Sequence, residues 1–117
     1  MALLGVDVGT TFCKCALFED DGTLLRPARR PTPTRHTPDG LPFYDPDGLW
    51  ALVASAIREV VAGGGSRVSA VGVSSMAEAG LLVDAGTGEP RSHIIPWYDS
   101  RSAEQAEAVG RLEDPLA

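Results

Sequence analysis

The chain has 117 residues, of which 44% are hydrophobic and 22% charged, a composition typical of one globular domain or part of one. A formal net charge of −6 argues against a nucleic-acid partner, because binding to a phosphate backbone needs a basic face. No apolar run approaches the length of a membrane span and no signal-peptide pattern is present, so we expect a soluble, cytoplasmic protein with no membrane partner. Cys13 and Cys15 would point to one face of a strand, which predicts small buried thiols in a reducing compartment rather than a disulfide.

The first part of the chain predicts three short strands joined by turns. Residues 3–8 (LLGVDV) and 12–18 (FCKCALF) are apolar runs, and a third strand begins at residues 23–26 after the turn signal EDDGT. Such a succession favours an antiparallel meander. The proline-rich segment from Arg26 to Tyr44 is predicted to be irregular. Its four arginines form either a phosphate-binding arm or, the favoured alternative, a solvated edge strand and loop.

The clearest helix is predicted from DPDGLWALVASAIREVVAGGG, residues 45–65. Asp45 is a candidate cap, the three glycines mark the end, and Trp50 is expected in the core. The apolar stripe at helical spacing consists of Leu49, Val53, Ala56, Ile57 and Val60.

The second half of the chain predicts a return to the sheet. SRVSAVGVSS (66–75) is a strand expected to be buried on both faces, which a helix reaches by a crossover. GLLVD (80–84) and HII (93–95) are two further short strands, and SRSAEQAEAVGRL (100–112) is a helix with Ser102 and Gln105 at capping-box spacing. The order β-β-β-α-β-β-β-α, with Gly110 and Pro115 marking the exit, predicts an α/β domain with a mixed sheet that is incomplete.

The turn between the first two strands combines a carboxylate, a Gly-Thr-Thr sequence and a lysine. Gly9 lets the backbone approach a ligand closely, and the N–H groups and hydroxyls of Thr10 and Thr11 could bind an anion. Asp7 could hold Mg²⁺, and Lys14, the one lysine among ten basic residues, could face phosphate oxygens. From spacing alone, a plain hairpin in which Asp7 and Lys14 satisfy each other remains an alternative.

Two stretches of the chain resemble one family. DVGTTFCKCALFEDDG is similar to the first phosphate motif of the FGGY carbohydrate kinases, D-x-G-T-(T/S)-x-x-K/R, within the actin-like/hexokinase-type ATPase superfamily. VSAVGVSSMAEAGLLVDAGTGEPRSHIIPWYDSRS resembles the family's stretch in which a strand ends at the sugar site, a hairpin follows around Asp84, and W-x-D-x-R closes the segment. The resemblance covers roughly residues 3 to 110 and is weakest at 26–42. The matched positions of the phosphate motif are Asp7, Gly9, Thr10, Thr11, Lys14 and Gly22.

The resemblance implies a fold and a nucleotide site. It identifies residues 1–117 as the N-terminal portion of domain I, with a ribonuclease H-like, actin-like ATPase fold, and without the second, adenine-binding domain. It implies ATP and Mg²⁺ as cofactors. Asp7 would be the metal ligand, Gly9, Thr10 and Thr11 would face the terminal phosphates, and Lys14 would be their counter-charge.

The resemblance also implies a substrate site for a sugar or polyol of the xylulose, glycerol or gluconate kind. The loop after VGVSS, here Met76-Ala77-Glu78, would contact the substrate, with Glu78 as the leading hydroxyl ligand. Met76 and Ala77 depart from the Gln-Arg-Glu of glycerol kinases and the Gln-Met-His of xylulose kinases. Trp97 would form an apolar wall. Asp99 would either contact the substrate or brace the loop as an ion pair with Arg101.

The implied reaction is transfer of the γ-phosphate of ATP to a substrate hydroxyl. In the family the general base lies in the second half of a much longer chain, so we expect residues 1–117 alone to be inactive and to need the remainder of the kinase. The alternative from another class is a non-catalytic binding or interaction module of the same fold. Apolar surface on an unfinished sheet would favour a homodimer or aggregation.

Overall fold

A computed structural model describes residues 1–63 and 67–110, which form a mixed four-stranded sheet with one long helix against it. The elements are β1 (Ala2–Val8), β2 (Phe12–Glu19), β3 (Leu24–Pro31), β4 (Arg35–His36), β5 (Pro42–Phe43), α1 (Pro46–Val61), β6 (Val68–Ser75) and α2 (Ala103–Gly110). The sheet order is β3-β2-β1-β6; β1, β2 and β3 are antiparallel neighbours, and β6 runs parallel to β1. The α/β class and the mixed sheet are therefore confirmed.

The core lies between α1 and one face of the sheet. Alternate residues of β1 and β2 point at the helix, as the period of two in a strand requires. Both cysteines are buried there as free thiols, as predicted, and burial raises the pKa of Cys15. The predicted helical stripe is confirmed, with Ile57 at its half-buried margin. The strand and helix residues of this core include Ala2, Leu4, Val6, Cys13, Cys15, Leu17, Leu49, Val53, Ala56 and Val60.

The helix α1 begins at Pro46 with Asp45 at its N-cap position, as predicted, but the Asp45 carboxylate does not cap it. Asp45 has extended backbone angles and makes no side-chain hydrogen bond to the helix; its Oδ2 instead lies 3.5 Å from Nη2 of Arg35. Gly48 leaves room for that carboxylate, because a Cβ there would lie 2.9 Å from Oδ2 of Asp45. A glycine that costs helix propensity therefore has a packing reason here.

The segment after Arg26 is more ordered than predicted. β3 continues to Pro31, and β4 and β5 form a second, two-stranded sheet, so the prediction of an irregular segment is wrong. Prolines indicated a loop, yet β3 is an edge strand, where a missing N–H can face solvent without breaking the ladder. The favoured alternative for the arginine cluster, an edge strand, agrees with this position.

The strand β6 is less buried than predicted. Val71 and Val73 are 58% and 72% exposed, so the expectation of burial on both faces is wrong. The helix α1 packs over β2 and β3, and β1 separates these two strands from β6 in the sheet. None of the described elements covers β6. Trp50 is 68% exposed on α1 for the same reason, which contradicts its predicted place in the core.

The segment between β6 and α2 contains bridges rather than full strands. Gly80 pairs with Ile95 and Val83 with Pro90 as isolated antiparallel bridges, so the two predicted strands at 80–84 and 93–95 are wrong as continuous elements. Both bridges are antiparallel, as expected for the hairpin around Asp84. The helix α2 is present, but it includes Gly110, and Pro115 lies outside the described residues. Within the described ranges, no helix has the length and apolar character needed to cross a membrane.

Candidate functional site

The turn between β1 and β2 is closed tightly at Gly9. Its amide donates a hydrogen bond of 3.1 Å to the carbonyl oxygen of Phe12. A Cβ at Gly9 would lie 2.8 Å from that same oxygen, closer than side-chain carbons approach backbone atoms. Because the obstacle is backbone, it cannot move aside without opening the hairpin. Glycine is therefore required here by close approach.

Thr32, which no sequence motif marks, braces this turn from the end of β3. Its hydroxyl donates to the carbonyl oxygen of Gly9 at 2.7 Å, and its amide donates to the carbonyl oxygen of Thr11 at 3.0 Å. Sγ of Cys13 lies 3.5 Å from the same hydroxyl, and Thr32 is only 8% exposed. Thr32 thus stabilises the turn through the carbonyl oxygens of Gly9 and Thr11, and these two bonds use none of the turn's own N–H or O–H donors.

The two threonines at the tip have hydrogen-bonding capacity to spare. Thr10 is half-buried and Thr11 is exposed. Over residues 1–63 and 67–110, neither their amide N–H groups nor their hydroxyls have a hydrogen-bond partner. Successive unpaired N–H groups in a tight turn form a concavity that attracts anions.

Asp7 and Lys14 lie opposite each other in register and form an ion pair. Nζ of Lys14 is 3.1 Å from Oδ2 of Asp7, and the side chains of Lys14 and Asp7 are 57% and 39% exposed respectively. At such exposure the pair contributes about 0–1 kcal/mol to stability. The anion site and the plain hairpin are both compatible with this arrangement, because the two side chains satisfy each other and also share one face of the sheet.

The pair borders a cleft of about 400 Å³ on the sheet face opposite to α1. Ser74 of β6 is paired with Asp7. Two residues further along the strands, the same face of the sheet carries Gly72, Gly5 and Ala16. These small residues leave space beside the charged groups. The carboxyl ends of the parallel strands β1 and β6 meet here, which is where open α/β sheets bind ligands.

The loop predicted to contact the substrate leaves β6 directly beside the turn. The amide of Met76 donates to the carbonyl oxygen of Val8 at 2.9 Å, and the Met76 side chain packs against the core. Ala77 and Glu78 are exposed. Glu78 has a φ of 56°, a left-handed conformation that few residues with a side chain adopt. Such strain is found at functional sites when the surrounding structure maintains it.

Trp97 belongs to a segment that pairs back onto this loop. The amide of Ile95 donates to the carbonyl oxygen of Gly80 at 3.1 Å, so the residues before Gly80 and after Ile95 leave the bridge on the same side. Trp97 is 58% exposed and packs edge-to-face against Tyr98, with ring centroids 5.6 Å apart.

A buried tyrosine anchors this segment to the body of the domain. The hydroxyls of Tyr44 and Tyr98 lie 3.3 Å apart, and burial raises the pKa of the fully buried Tyr44 to about 12. The amides and carbonyls of Tyr44 and Ile94 also exchange two hydrogen bonds of 3.0 Å. Nothing in the sequence pattern had marked Tyr44 as part of the site's support.

Asp99 is turned inward and paired with Arg101. Nε of Arg101 lies 2.7 Å from Oδ1 and Nη2 lies 2.8 Å from Oδ2, while Nη2 also donates to the carbonyl oxygen of Pro42 at 3.1 Å. The Asp99 side chain is 2% exposed, and the Arg101 hydrogen bonds lower the pKa of its carboxyl. The geometry is that of the bracing alternative, and a substrate contact by Asp99 stays a prediction.

The hairpin predicted around Asp84 is organised by that carboxylate. Oδ1 of Asp84 accepts hydrogen bonds of 3.0 Å from the amides of Gly86 and Thr87, and Oδ2 accepts one of 2.8 Å from Arg91. The Arg91 hydrogen bond, together with those amides, lowers the pKa of the Asp84 carboxyl to about 2. Asp84 therefore has a structural role at this turn.

Comparison with solved structures shows that this chain shares its fold with part of three kinases of known structure. The chain superposes on a xylulose kinase from Rhodospirillum rubrum with a TM-score of 0.87 and 24% identity, covering 97% of this chain and 24% of that one. A gluconate kinase from Lactobacillus acidophilus gives a TM-score of 0.86 at 21% identity, covering 95% and 22%. A Plasmodium falciparum glycerol kinase with ADP gives 0.82 at 16%, covering 99% and 23%.

Sequence comparison establishes the family. Residues 2–115 match the N-terminal domain of the FGGY family of carbohydrate kinases, and the chain belongs to this family. A glycerol kinase from Gloeobacter violaceus is 36% identical over 102 residues, which are 87% of this chain and 20% of that protein. One from Citrifermentans bemidjiense is 32% identical over 110 residues, 92% and 22%. The chain thus spans about a fifth of the length of the curated relatives it matches.

Proposed function

We propose that this chain is the N-terminal portion of domain I of a carbohydrate kinase that transfers the γ-phosphate of Mg–ATP to a hydroxyl of a sugar or polyol. The single observation that carries the proposal is the turn at Gly9. It has unpaired threonine donors at its tip, within the described residues, and the exposed Asp7–Lys14 pair beside it. Phosphoryl transfer relies on positioning and charge neutralisation, which are the properties of this turn.

The residues at the turn fit a magnesium nucleotide. Mg²⁺ prefers oxygen ligands and is bound through one or two carboxylates together with phosphate oxygens, and Asp7 presents a partly exposed carboxylate at the mouth of the cleft. When bound, the ion would supply neutralisation of phosphate charge. The amides and hydroxyls of Thr10 and Thr11 would bind phosphate oxygens, the Gly9 backbone would allow close approach, and Lys14 would add a positive charge.

The acceptor substrate would lie between the loop after β6 and the segment after Ile95. Glu78 would accept a hydrogen bond from a substrate hydroxyl, and the exposed ring of Trp97 would pack against its C–H face. Met76 and Ala77 would form the part of this loop next to the substrate. Asp99 would support the site indirectly, through its ion pair with Arg101. The glycerol kinases among the relatives support a polyol as the acceptor. The xylulose and gluconate kinases among the structural neighbours are compatible with a larger acceptor.

The phosphate site can be tested with an isosteric variant of the full-length protein. Asp7→Asn should lower kcat in a coupled assay with ATP, Mg²⁺ and glycerol, xylulose or gluconate by roughly a hundredfold or more, because the variant would lose the carboxylate that holds the ion neutralising the phosphate charge. Asp20→Asn is the matched control, because Asp20 is exposed in the β2–β3 turn. Equal kcat for the two variants would refute the assignment of Asp7.

The acceptor site is tested by Glu78→Gln, which keeps the size of the side chain. Its KM for the acceptor should rise about tenfold or more while its KM for ATP stays close to that of the wild type. A shift confined to the KM for ATP would remove Glu78 from the acceptor site.

We further propose that residues 1–117 alone have no kinase activity, because the family's general base and adenine pocket are expected downstream. The partner of this chain would then be the remainder of the same kinase, in the cytoplasm. Phosphorylation of any acceptor by the purified 117-residue polypeptide above background would refute this.

The alternative, a non-catalytic interaction module, draws on one observation. An apolar groove of about 500 Å³ lies between α1 and β6, with Trp50, Val71 and Val73 exposed along it. Surfaces of this kind mark binding sites. Sedimentation analysis together with the kinase assay distinguishes the two: a homodimer of the full-length protein without phosphoryl transfer would favour the module, and turnover would favour the kinase.

A further inference from the structure

A row of polar side chains crosses the sheet beside the turn. Cross-strand register pairs Ser74 of β6 with Asp7 of β1, Asp7 with Lys14 of β2, and Lys14 with Arg29 of β3. Side chains of directly paired residues project from the same face of a sheet. Arg29 therefore shares the face of the Asp7–Lys14 pair, although the sequence alone shows it only as a member of a surface cluster.

Arg29 differs from the other three arginines of that cluster in what its side chain contacts. Arg26 donates to the carbonyl oxygen of Gly63, Arg30 to the carboxylate of Glu59, and Arg35 lies 3.5 Å from Asp45. Over the described ranges, the guanidinium of Arg29 has no oxygen acceptor. Its contact is the ring of Phe12, whose centroid lies 3.4 Å from Cζ of Arg29.

The position of Phe12 directs this unsatisfied guanidinium to the turn. Phe12 directly follows Thr11, and its ring lies on the same face as Lys14, two residues on. Neighbouring strands are about 4.8 Å apart, so the Arg29 backbone is roughly one strand spacing from Lys14 and two from Asp7. An arginine side chain spans such distances, and stacking on an aromatic ring limits the freedom it would otherwise lose on binding.

The charges along the row leave a positive excess. Asp7 and Lys14 neutralise each other at 3.1 Å, and Arg29 adds a positive charge that no carboxylate in the described part of the chain pairs with. Guanidinium groups bind phosphate oxygens through paired N–H donors, which a single ammonium group cannot reproduce. The available donors of Arg29 and of the Thr10–Thr11 tip are therefore complementary to the same kind of ligand.

We propose that Arg29 is a second phosphate-binding side chain of this site, which Phe12 holds ready beside the turn to bind the terminal phosphates of a nucleoside di- or triphosphate. This inference rests on the proposed function, since it assigns Arg29 to the nucleotide site described above. It adds a binding group from the edge strand β3, outside the motif that identifies the turn.

The test compares Arg29→Gln with Arg26→Gln in the full-length protein. The two variants remove the same charge from the same strand, but Arg26 points to the opposite face. Isothermal titration with ATP, ADP and AMP in the presence of Mg²⁺ is the readout. Arg29→Gln should raise the Kd for ATP and ADP about tenfold and leave that for AMP nearly unchanged, as expected for loss of one charge-assisted contact to the terminal phosphates.

Two further variants separate binding from folding. Phe12→Leu keeps an apolar side chain but removes the ring, so it should raise the Kd for ATP by about threefold, less than loss of the guanidinium. Arg29→Lys keeps the charge and should recover part of the affinity. A melting temperature of Arg29→Gln close to that of the wild type would exclude misfolding as the cause.

The outcomes separate this inference from the proposed function. If the wild type binds ATP but Arg29→Gln and Arg26→Gln have the same Kd, Arg29 is not a phosphate ligand and the kinase proposal stands. If the Kd for AMP rises as much as that for ATP, the effect does not come from the terminal phosphates and the inference is wrong. If the wild type binds no nucleotide, both proposals fall together.

Discussion

Replacement of Gly9 by alanine tests whether the turn is as tight as its contacts indicate. The added Cβ would lie 2.8 Å from the carbonyl oxygen of Phe12, the same oxygen that accepts the 3.1 Å hydrogen bond from the Gly9 amide. Relief of this contact requires a shift of backbone. Overpacking of this kind costs about 1–3 kcal/mol. Loss of the hydrogen bond would add about 0.5–1.5 kcal/mol.

Gly72→Ala provides the matched control for that substitution. A Cβ at Gly72 would meet no atom within 4 Å, and Gly72 is on the same face of the sheet. Alanine is favoured over glycine in a strand by about 0.5–1 kcal/mol, so this variant should be neutral or slightly more stable. The two variants should therefore differ by about 1.5–5.5 kcal/mol in the free energy of unfolding by urea.

The nucleotide affinity of Gly9→Ala supplies a second measurement. Because the Thr10 and Thr11 donors depend on the turn, Gly9→Ala should also raise the Kd for ATP by about tenfold or more. Equal unfolding free energies for Gly9→Ala and Gly72→Ala, together with a wild-type ATP affinity for Gly9→Ala, would show that the turn tolerates a Cβ and that its closeness is not a requirement.

Three further changes probe the charges and anchors around the site. Lys14→Gln should change the free energy of unfolding by less than about 1 kcal/mol, because its ion pair is exposed, yet should raise the Kd for ATP about tenfold; a large loss of stability with unchanged affinity would favour the plain hairpin. Tyr44→Phe should cost about 0.5–1.5 kcal/mol by urea unfolding, because it removes the 3.3 Å contact with the Tyr98 hydroxyl. The lowered pKa of Asp84, about 2, stabilises the folded state above the unfolded value of about 3.9, and that contribution should disappear as pH falls from about 4 to 2. Asp84→Asn should flatten the pH dependence of unfolding in this window, and an unchanged profile would contradict the role of its hydrogen bonds.

The sequence predicted the elements whose formation depends on near neighbours. The hairpin of β1 and β2 follows from two apolar runs around a glycine turn, and α1 follows from its helical stripe and flanking signals. The same applies to the turn at Asp84, where one carboxylate accepts hydrogen bonds from two amides within three residues. In these cases the residues that determine the structure lie within one window of sequence.

Tertiary packing explains the predictions that were wrong. Val71 and Val73 have the composition of a buried strand, but their exposure depends on where α1 lies across the sheet, which no local pattern encodes. The prolines after Arg26 indicated a loop, because the sequence does not show that β3 lies at the edge of the sheet, where prolines are tolerated. Thr32 was missed for a related reason: its partner Gly9 is 23 residues away, and a lone threonine after a proline carries no distinctive signal.

The physical properties of the Asp7–Lys14 pair bear on why both charges are present. An exposed pair adds little to stability, so stability alone gives no reason to keep two charges beside a turn whose glycine tolerates no side chain. A ligand changes that balance. A cation at Asp7 would release Lys14 toward an anion, and Arg29, with no carboxylate of its own in the described part of the chain, would already favour one. The proposed site for a metal-bound polyphosphate would therefore combine the available amides of the turn, the exchangeable Asp7–Lys14 pair and the guanidinium of Arg29.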